Sequence, residues 1–235
     1  MSLANATASK SSNVLRLTTC GYSLGYLLLA GVCLMRWGGP DHRSGFDLFS
    51  IGYLLFRALG SIHSLAAAQG VFRSRQVMQE WWATNSDPGG IRRVVVLMAL
   101  DLTVFLNYAH WHLWVVLDRP FLQACGLTLY ATAIAWQMWT DSHLARFFAD
   151  RPQEWAPMSS GPYRLVRHPR YSAALVSKVA FALIFANGLG WLMALAWGVL
   201  LLRKVEVEEA HLNRLFGRGY EVYQRTTAKL LPGIY

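Results

Sequence analysis

Residues Ser172 to Leu202 read SAALVSKVAFALIFANGLGWLMALAWGVLLL, and this block decides the fold. It is apolar apart from a few serines, Lys178 and the Asn187-Gly188-Leu189-Gly190 interruption. A helix that crosses a bilayer takes about 20 mostly apolar residues. The block is too long for one such helix and short for two full ones. Asn-Gly is a strong turn signal, so the sequence predicts a helical hairpin of two short or tilted helices turning at 187–190.

Four more stretches of crossing length lie upstream. They are Val14 to Met35 (with Arg16), Phe49 to Val71 (with Arg57 and His63), Val94 to Leu117 (with Asp101, His110 and His112) and Phe121 to Trp139. The chain therefore reads as an all-α, polytopic membrane helix bundle. The expectation is about six crossings with a C-terminal helical hairpin, or five if that hairpin only re-enters. Composition agrees: 54% of the 235 residues are hydrophobic and 15% charged, against about 25% charged in an average soluble domain. A disordered chain is excluded and an ordinary soluble enzyme disfavoured. Residues 1–13 read as a disordered cytoplasmic lead and not as a signal peptide, because no small-residue cleavage site follows the first apolar run. Residues 14–158 read as a four-helix membrane region and 159–235 as the hairpin unit with its tail.

The net charge is +9. Cytoplasmic loops of membrane proteins collect Lys and Arg. With the N-terminus inside and the hairpin crossing twice, Arg36, Arg43 and Arg119 fall outside. Arg57 and Lys178 fall within spans, and the remaining 17 of the 22 Lys and Arg residues fall inside. The expected topology is integral and multi-pass with both termini cytoplasmic. It accounts for the basic balance without nucleic acid, and the lipid partners are those of the membrane. Cys20, Cys33 and Cys125 are widely spaced, so neither a disulfide framework nor a zinc site is readable, and no metal is expected. No GxGxxG or GxxxxGK[ST] loop marks a soluble nucleotide-binding domain. Glu80-Trp81-Trp82 reads as an interfacial anchor.

Ionisable residues within spans are functional suspects. At 1.5 Å per residue, His63, Asp101 and Lys178 each lie about 10–12 Å deep from the cytoplasmic side. The expectation is an Asp101–Lys178 pair with His63 as a third member. Arg57 is expected to snorkel outward or meet a carbonyl. His110 and His112, two apart, point to different sides of a helix and are poor co-ligands.

The chemistry concentrates in the last third. Gly161-Pro162-Tyr163-Arg164-Leu165-Val166-Arg167-His168-Pro169-Arg170-Tyr171 precedes the hairpin. Arg203-Lys204-Val205-Glu206-Val207-Glu208-Glu209 follows it, and then come Phe216-Gly217 and Tyr220…Tyr223. Pro169 biases His168 away from helical dihedrals, so a helix starts just after it. That N-terminus offers free N–H groups to an anion. An even number of crossings puts Arg167-His168 and Glu208-Glu209 on one face, across helices packed about 8–10 Å apart. Cations beside paired carboxylates suit a zwitterionic amino-acid group.

Over about residues 159–232 this pattern resembles the C-terminal signature of integral-membrane isoprenylcysteine carboxyl methyltransferases and phospholipid methyltransferases. The resemblance implies methyl transfer from S-adenosylmethionine to a lipophilic substrate, within membrane helices. It implies a cofactor pocket of Tyr163, Arg164, Arg167, His168, Tyr171, Glu208 and Glu209. Relatives carry a basic residue shortly before the acidic pair. Arg203 or Lys204 matches it, so the catalytic candidates are Arg203 and Glu209. An amine or hydroxyl acceptor must also lose a proton, for which His168 or Glu209 is available. The sequence departs from the pattern at Arg170, often small and apolar in relatives, at Ala173, where a glycine is common nearby, and at Gly219, where an acidic residue is common. Two other classes stay open: an NADPH-dependent membrane lipid or sterol-type reductase with a similar hairpin, and a non-enzymatic transporter or scaffold built on Asp101, Lys178 and His63.

Overall fold

The structure is a computed structural model and describes residues 21, 23–35, 47–71, 88–150 and 158–233. Helix α1 is Ser23–Leu34, α2 Leu48–Val71 and α3 Pro88–Leu106. One π turn, Asn107–Trp111, closes α3. Helix α4 is Pro120–Asp150, and a 3₁₀ turn, Gly161–Arg164, leads to α5, Pro169–Ile184. Helices α6, Gly188–Phe216, and α7, Arg218–Thr226, complete the order. Among the described residues there is no strand, only the isolated bridges Val115–Asn187 and Val166–Ala228. The described elements are all helical. Two described helices, Leu48–Ala67 and Gly188–Phe216, are long and apolar enough to cross a membrane.

Helix α4, with 31 residues and a length of about 46 Å, is the mast of the bundle. Helices α5 and α2 make their most extensive contacts on it, and α6 packs against α5. Gly126 lets α4 and α5 touch backbone to backbone: a Cβ there would stand 2.8 Å from Leu183 Cβ and 3.0 Å from Ile184 N. Small residues at such contacts are a habit of membrane helices, where packing replaces the hydrophobic drive.

The core is an aromatic knot. Tyr53 lies 4.7 Å from the Tyr130 ring, Phe105 4.9 Å from Phe185 and Phe181 4.8 Å from Phe185. Rings of α2, α3, α4 and α5 thus meet in edge-on and tilted geometries, which add to area burial. The buried hydroxyls of Tyr26 and Tyr53 satisfy each other at 3.0 Å, as buried polar groups must. Asp47 starts α2 by accepting from the N–H groups of Phe49 and Ser50 at 3.0 and 2.8 Å. Its other oxygen accepts from the Tyr108 hydroxyl of the π turn.

The hairpin turns where the sequence predicts. Ala186 takes φ 45°, and the Asn187 side chain caps α6 by accepting from Leu189 N at 2.7 Å. The third apolar stretch is corrected: its helix stops at Leu106 and does not run to Leu117. Asn107 is the cause. Its side chain donates to Leu113 O at 2.8 Å and accepts from Leu113 N at 2.9 Å, imitating a backbone partner and folding the chain back. His112, Trp114 and Leu117 then take positive φ. The loop is held by the hairpin tip, since Val116 N donates to Ala186 O at 2.8 Å and Gly188 N to Trp114 O at 2.9 Å. The fourth stretch is longer than its apolar part, running past Trp139 to Asp150. The lead at 1–13, the start of the first stretch and Glu80-Trp81-Trp82 lie outside the described residues.

Candidate functional site

The approach to α5 is a compact turn. Gly161 has φ 58°, and a Cβ there would stand 2.6 Å from the His143 ring, so only glycine fits. After the 3₁₀ turn, Val166 is buried and bridges to Ala228. Arg167 N donates to Ala228 O at 2.8 Å and His168 N to Lys229 O at 3.1 Å. The C-terminal tail thus clasps the Arg-His-Pro segment. Trp136 of α4 fastens the other side, donating to Pro169 O at 3.0 Å. Pro169 then opens α5, where its missing N–H costs nothing.

The hairpin brings the two polar clusters together, as the sequence predicts. Glu209 Oε1 accepts from Arg167 Nε at 2.8 Å and lies 3.1 Å from His168 Nε2. Glu209 Oε2 accepts from Gln224 Nε2 at 3.3 Å and has Lys229 Nζ at 4.0 Å. Arg167 also donates to the carbonyls of Gln224, at 2.8 Å, and Thr227. The apolar part of α6 ends at Leu202, so this cluster stands beyond the spanning segment. Burial works against the Glu209 charge, yet the hydrogen bonds from His168 and Arg167 prevail and hold its carboxyl at about 2.

Glu208 is placed differently. Its Oε2 is buried and accepts no hydrogen bond, with His168 Nδ1 4.0 Å away. The His168 ring stacks on Tyr171 at 5.7 Å, and Lys204 Nζ stands 5.6 Å over the other partner of that stack, the Tyr171 ring. Tyr223 donates its hydroxyl to Tyr163 O. Burial pushes the Tyr223 hydroxyl up to about 12, so it remains a protonated donor at any physiological pH. Burial also raises the Tyr163 hydroxyl, against the pull of the Arg170 cation. A groove of about 400 Å³ opens beside Arg167, between α7 and the tail at Thr227, Ala228 and Lys229.

Of the residues singled out in the sequence, Arg167, His168, Tyr171, Glu208 and Glu209 converge, with Tyr163 at their edge. Arg164 and Arg203 are exposed and do not join them. Lys204, one residue on, takes the place beside Tyr171. Sequence reasoning missed Gln224, Thr227 and Lys229, which enter through the tail. It also missed Asp141, a buried carboxylate on α4 paired with Arg170 at 3.0 Å.

Within the bundle, the Asp101–Lys178 pair is present: Lys178 Nζ lies 2.7 Å from both carboxylate oxygens. His63 is not its third member. Its Nε2 lies 3.0 Å from Met138 O and 2.9 Å from Ser142 Oγ, because α2 packs on α4 at that height. Arg57 sits 5.1 Å over the Tyr26 ring. His110 contacts Cys33 O at 3.0 Å and His112 leaves the helix altogether, so they are not co-ligands. Among the described residues no three His, Cys, Asp or Glu side chains converge on a metal position.

Residues 119–219, which hold α4, the Arg-His-Pro turn, the hairpin and the paired glutamates, match the family model described as phospholipid methyltransferase. Over this stretch, somewhat under half of its length, the chain is similar to that family. The chain is also similar to a methanethiol S-methyltransferase of Pseudomonas deceptionensis, 24% identical over 73% of this chain and 70% of that one. A protein-S-isoprenylcysteine O-methyltransferase B of Arabidopsis thaliana is 26% identical over 59% of this chain and 70% of that one. A protein-S-isoprenylcysteine O-methyltransferase of Dictyostelium discoideum is 30% identical over a third of each chain. No solved structure matches. The relatives are named methyltransferases, and the chain is an enzyme of that class, similar to a membrane-associated family.

Proposed function

We propose that this enzyme transfers a methyl group from S-adenosylmethionine to a lipophilic acceptor at the cytoplasmic membrane surface. The observation that carries the reading is the meeting of Glu208-Glu209 with Arg167-His168 across the hairpin, with Glu208 Oε2 buried, 4.0 Å from His168 Nδ1 and without a hydrogen bond. A buried acceptor without a hydrogen bond is costly. An ammonium group satisfies it, and the N–H groups at the start of α5 suit a carboxylate. S-adenosylmethionine carries both, so the residues present fit the cofactor.

When bound, S-adenosylmethionine supplies a sulfonium methyl open to in-line displacement. The chain's task is to align acceptor and methyl and exclude water. We assign Glu208 to the ammonium group and Tyr171, stacked on His168, to the wall of the pocket. Glu209 holds Arg167 and His168 in place, and the tail carbonyls fix the remaining reach of Arg167. Tyr163 and Arg164 form the edge. Arg203, exposed where the apolar part of α6 ends, is assigned to the acceptor side. A thiolate or carboxylate acceptor needs no base; for an amine, His168 is the proton acceptor that the geometry offers. The relatives bear names of two acceptor kinds, a small thiol and an isoprenylcysteine.

Isothermal titration of the detergent-purified chain tests this. S-adenosylmethionine is expected to bind, and Glu208→Gln to weaken it by about tenfold or more, the worth of a charge-assisted hydrogen bond. NADPH is expected not to bind. Binding of NADPH alone, or equal binding of S-adenosylmethionine by the variant, overturns the assignment.

A further inference from the structure

Helix α5 of the hairpin has 16 residues and a length of about 24 Å, against a hydrocarbon core of about 30 Å. A span shorter than the core thins the bilayer or needs its flanks to fill the gap. At the hairpin tip the flank is the segment that follows α3. Its Trp111, Leu113, Trp114, Val115 and Leu117, with Phe121 at the start of α4, are 47–76% exposed. So many large apolar side chains exposed in one short stretch call for a partner. The segment is firmly held. The Asn107 side chain bonds both N and O of Leu113, and His112 N donates to Asn107 O at 2.8 Å. Trp114 O and Val116 N pair with Gly188 and Ala186 of the tip. The Trp114 ring lies so close on Gly188 that a Cβ there would stand 2.4 Å from it. His112, Trp114 and Leu117 take φ of 50°, 49° and 60°. Such values are strained for these residues and persist only where the surroundings impose them.

An irregular segment with open backbone groups cannot enter hydrocarbon. Here Leu113, Trp114 and Val116 have backbone groups satisfied inside the protein, so the side chains can enter the boundary between acyl chains and headgroups. Tryptophan is enriched at that level. The patch also continues the apolar surface of the two helices long enough to cross. Gly188, under Trp114, opens α6, whose Leu192 and Leu195 are exposed. Tyr108, just before the patch, holds Asp47 at the start of α2, whose Leu48 is exposed. Asp118 and Arg119, both exposed, mark the return to water. We propose that residues 111–117 are an interfacial cap. They lie in the leaflet opposite the site, with their apolar side chains among its lipids, and they complete the height of a hairpin too short to cross alone. The partner is lipid at the acyl–headgroup boundary, and the cap does not depend on the reaction that the site performs.

The test is depth-dependent quenching of the full chain in dioleoylphosphatidylcholine proteoliposomes, with Cys20, Cys33 and Cys125 replaced and one cysteine labelled with nitrobenzoxadiazole. The labelled variants are Leu113→Cys, Leu195→Cys, about 10 Å further from the tip along α6, and Ser159→Cys beside the site. All three positions are exposed. Asn107 holds only the backbone of Leu113, so the label leaves that hold intact. The quenchers are lipid spin-labelled near the headgroup, lipid spin-labelled near the chain end, and iodide on both sides of the membrane. Leu113→Cys is expected to lose most of its fluorescence to the shallow lipid label, Leu195→Cys to the deep one and Ser159→Cys to iodide. Strongest quenching of Leu113→Cys by iodide puts the segment in water and overturns the proposal. Strongest quenching by the deep label overturns it too, because the segment then lies in the core. Quenching by none of the three also overturns it, because protein, a second copy included, then covers the patch. The height role has its own readout, the Tm of the unlabelled double variant Trp111→Ser/Leu113→Ser. It is expected to fall below wild type in dioleoyl bilayers and to match it in thinner dimyristoleoyl bilayers. An equal fall in both, or none in either, overturns the claim that the cap completes the hairpin.

Discussion

Glu209 is the residue on which the site's geometry turns, because it is the shared acceptor of Arg167 and His168 and the anchor of Gln224. Removing one partner of a buried charged pair costs more than the pair contributed, since the other charge remains buried. Glu209→Gln is therefore expected to lower stability by about 3 kcal/mol at neutral pH, read as a fall in Tm. The carboxyl is held at about 2 against an ordinary 4.5, so its contribution is full above 4.5 and is lost as pH falls toward 2. The Tm gap between wild type and Glu209→Gln should be flat from pH 8 to about 5 and close below it. A gap that closes instead between pH 6 and 8 assigns the titration to another group. The Arg-His-Pro and Glu-Glu clusters were legible because they interrupt apolar runs. Gln224, Lys229 and Asp141 were not, because one polar residue on a mixed helix or tail looks like any surface residue. The choice between Arg203 and Lys204 was open to helix phase: Lys204 and Glu208, four apart, share a face, whereas Arg203 is turned by about 100° from it.

At the scale of elements, the α4–α5 contact sets where the site sits, because Trp136 fastens Pro169 while Gly126 seats Leu183 and Ile184. Adding a methyl at Gly126 drives it into backbone atoms, which cannot rotate away. Gly126→Ala is expected to cost about 1–3 kcal/mol. At Gly52 of α2 the obstacle is the methyl ends of Leu127, which turn aside, so Gly52→Ala should cost less. Thermal unfolding of the two variants in one detergent checks the order, and the reverse order sinks this account of the packing. The hairpin was readable from Asn187-Gly188. The early end of α3 was not, because Leu113, Val115 and Val116 prolong the apolar run past it. What stops the helix is Asn107 folding onto Leu113, and the loop's real partner is the hairpin tip some 70 residues downstream.

At the scale of the molecule, the same contact bears on how the chain sits in the bilayer. Hydropathy alone left the hairpin between a full crossing and a re-entrant loop, since α5 has only 16 residues. Its tip pairs with residues 114–116, just before α4 begins, while its base lies beside Trp136. Near the tip, Gln123 Nε2 of α4 donates to Ile184 O at 3.0 Å. From Gln123 to Trp136, α5 runs along α4 for about 20 Å, most of a hydrocarbon core of about 30 Å. If α4 crosses, the hairpin tip reaches the face where α4 starts, and both ends of the hairpin return to the face of the site. Single cysteines in a chain with Cys20, Cys33 and Cys125 replaced read this directly with an impermeant maleimide on sealed, inside-out vesicles. Ser159→Cys and Arg218→Cys, both at exposed positions, should label at once. Arg119→Cys, exposed before α4, should label only after permeabilisation. Equal labelling of Arg119→Cys and Ser159→Cys in sealed vesicles places both ends of α4 on one side. The site would then lie on a surface-bound bundle, and the count of crossings would fall with it.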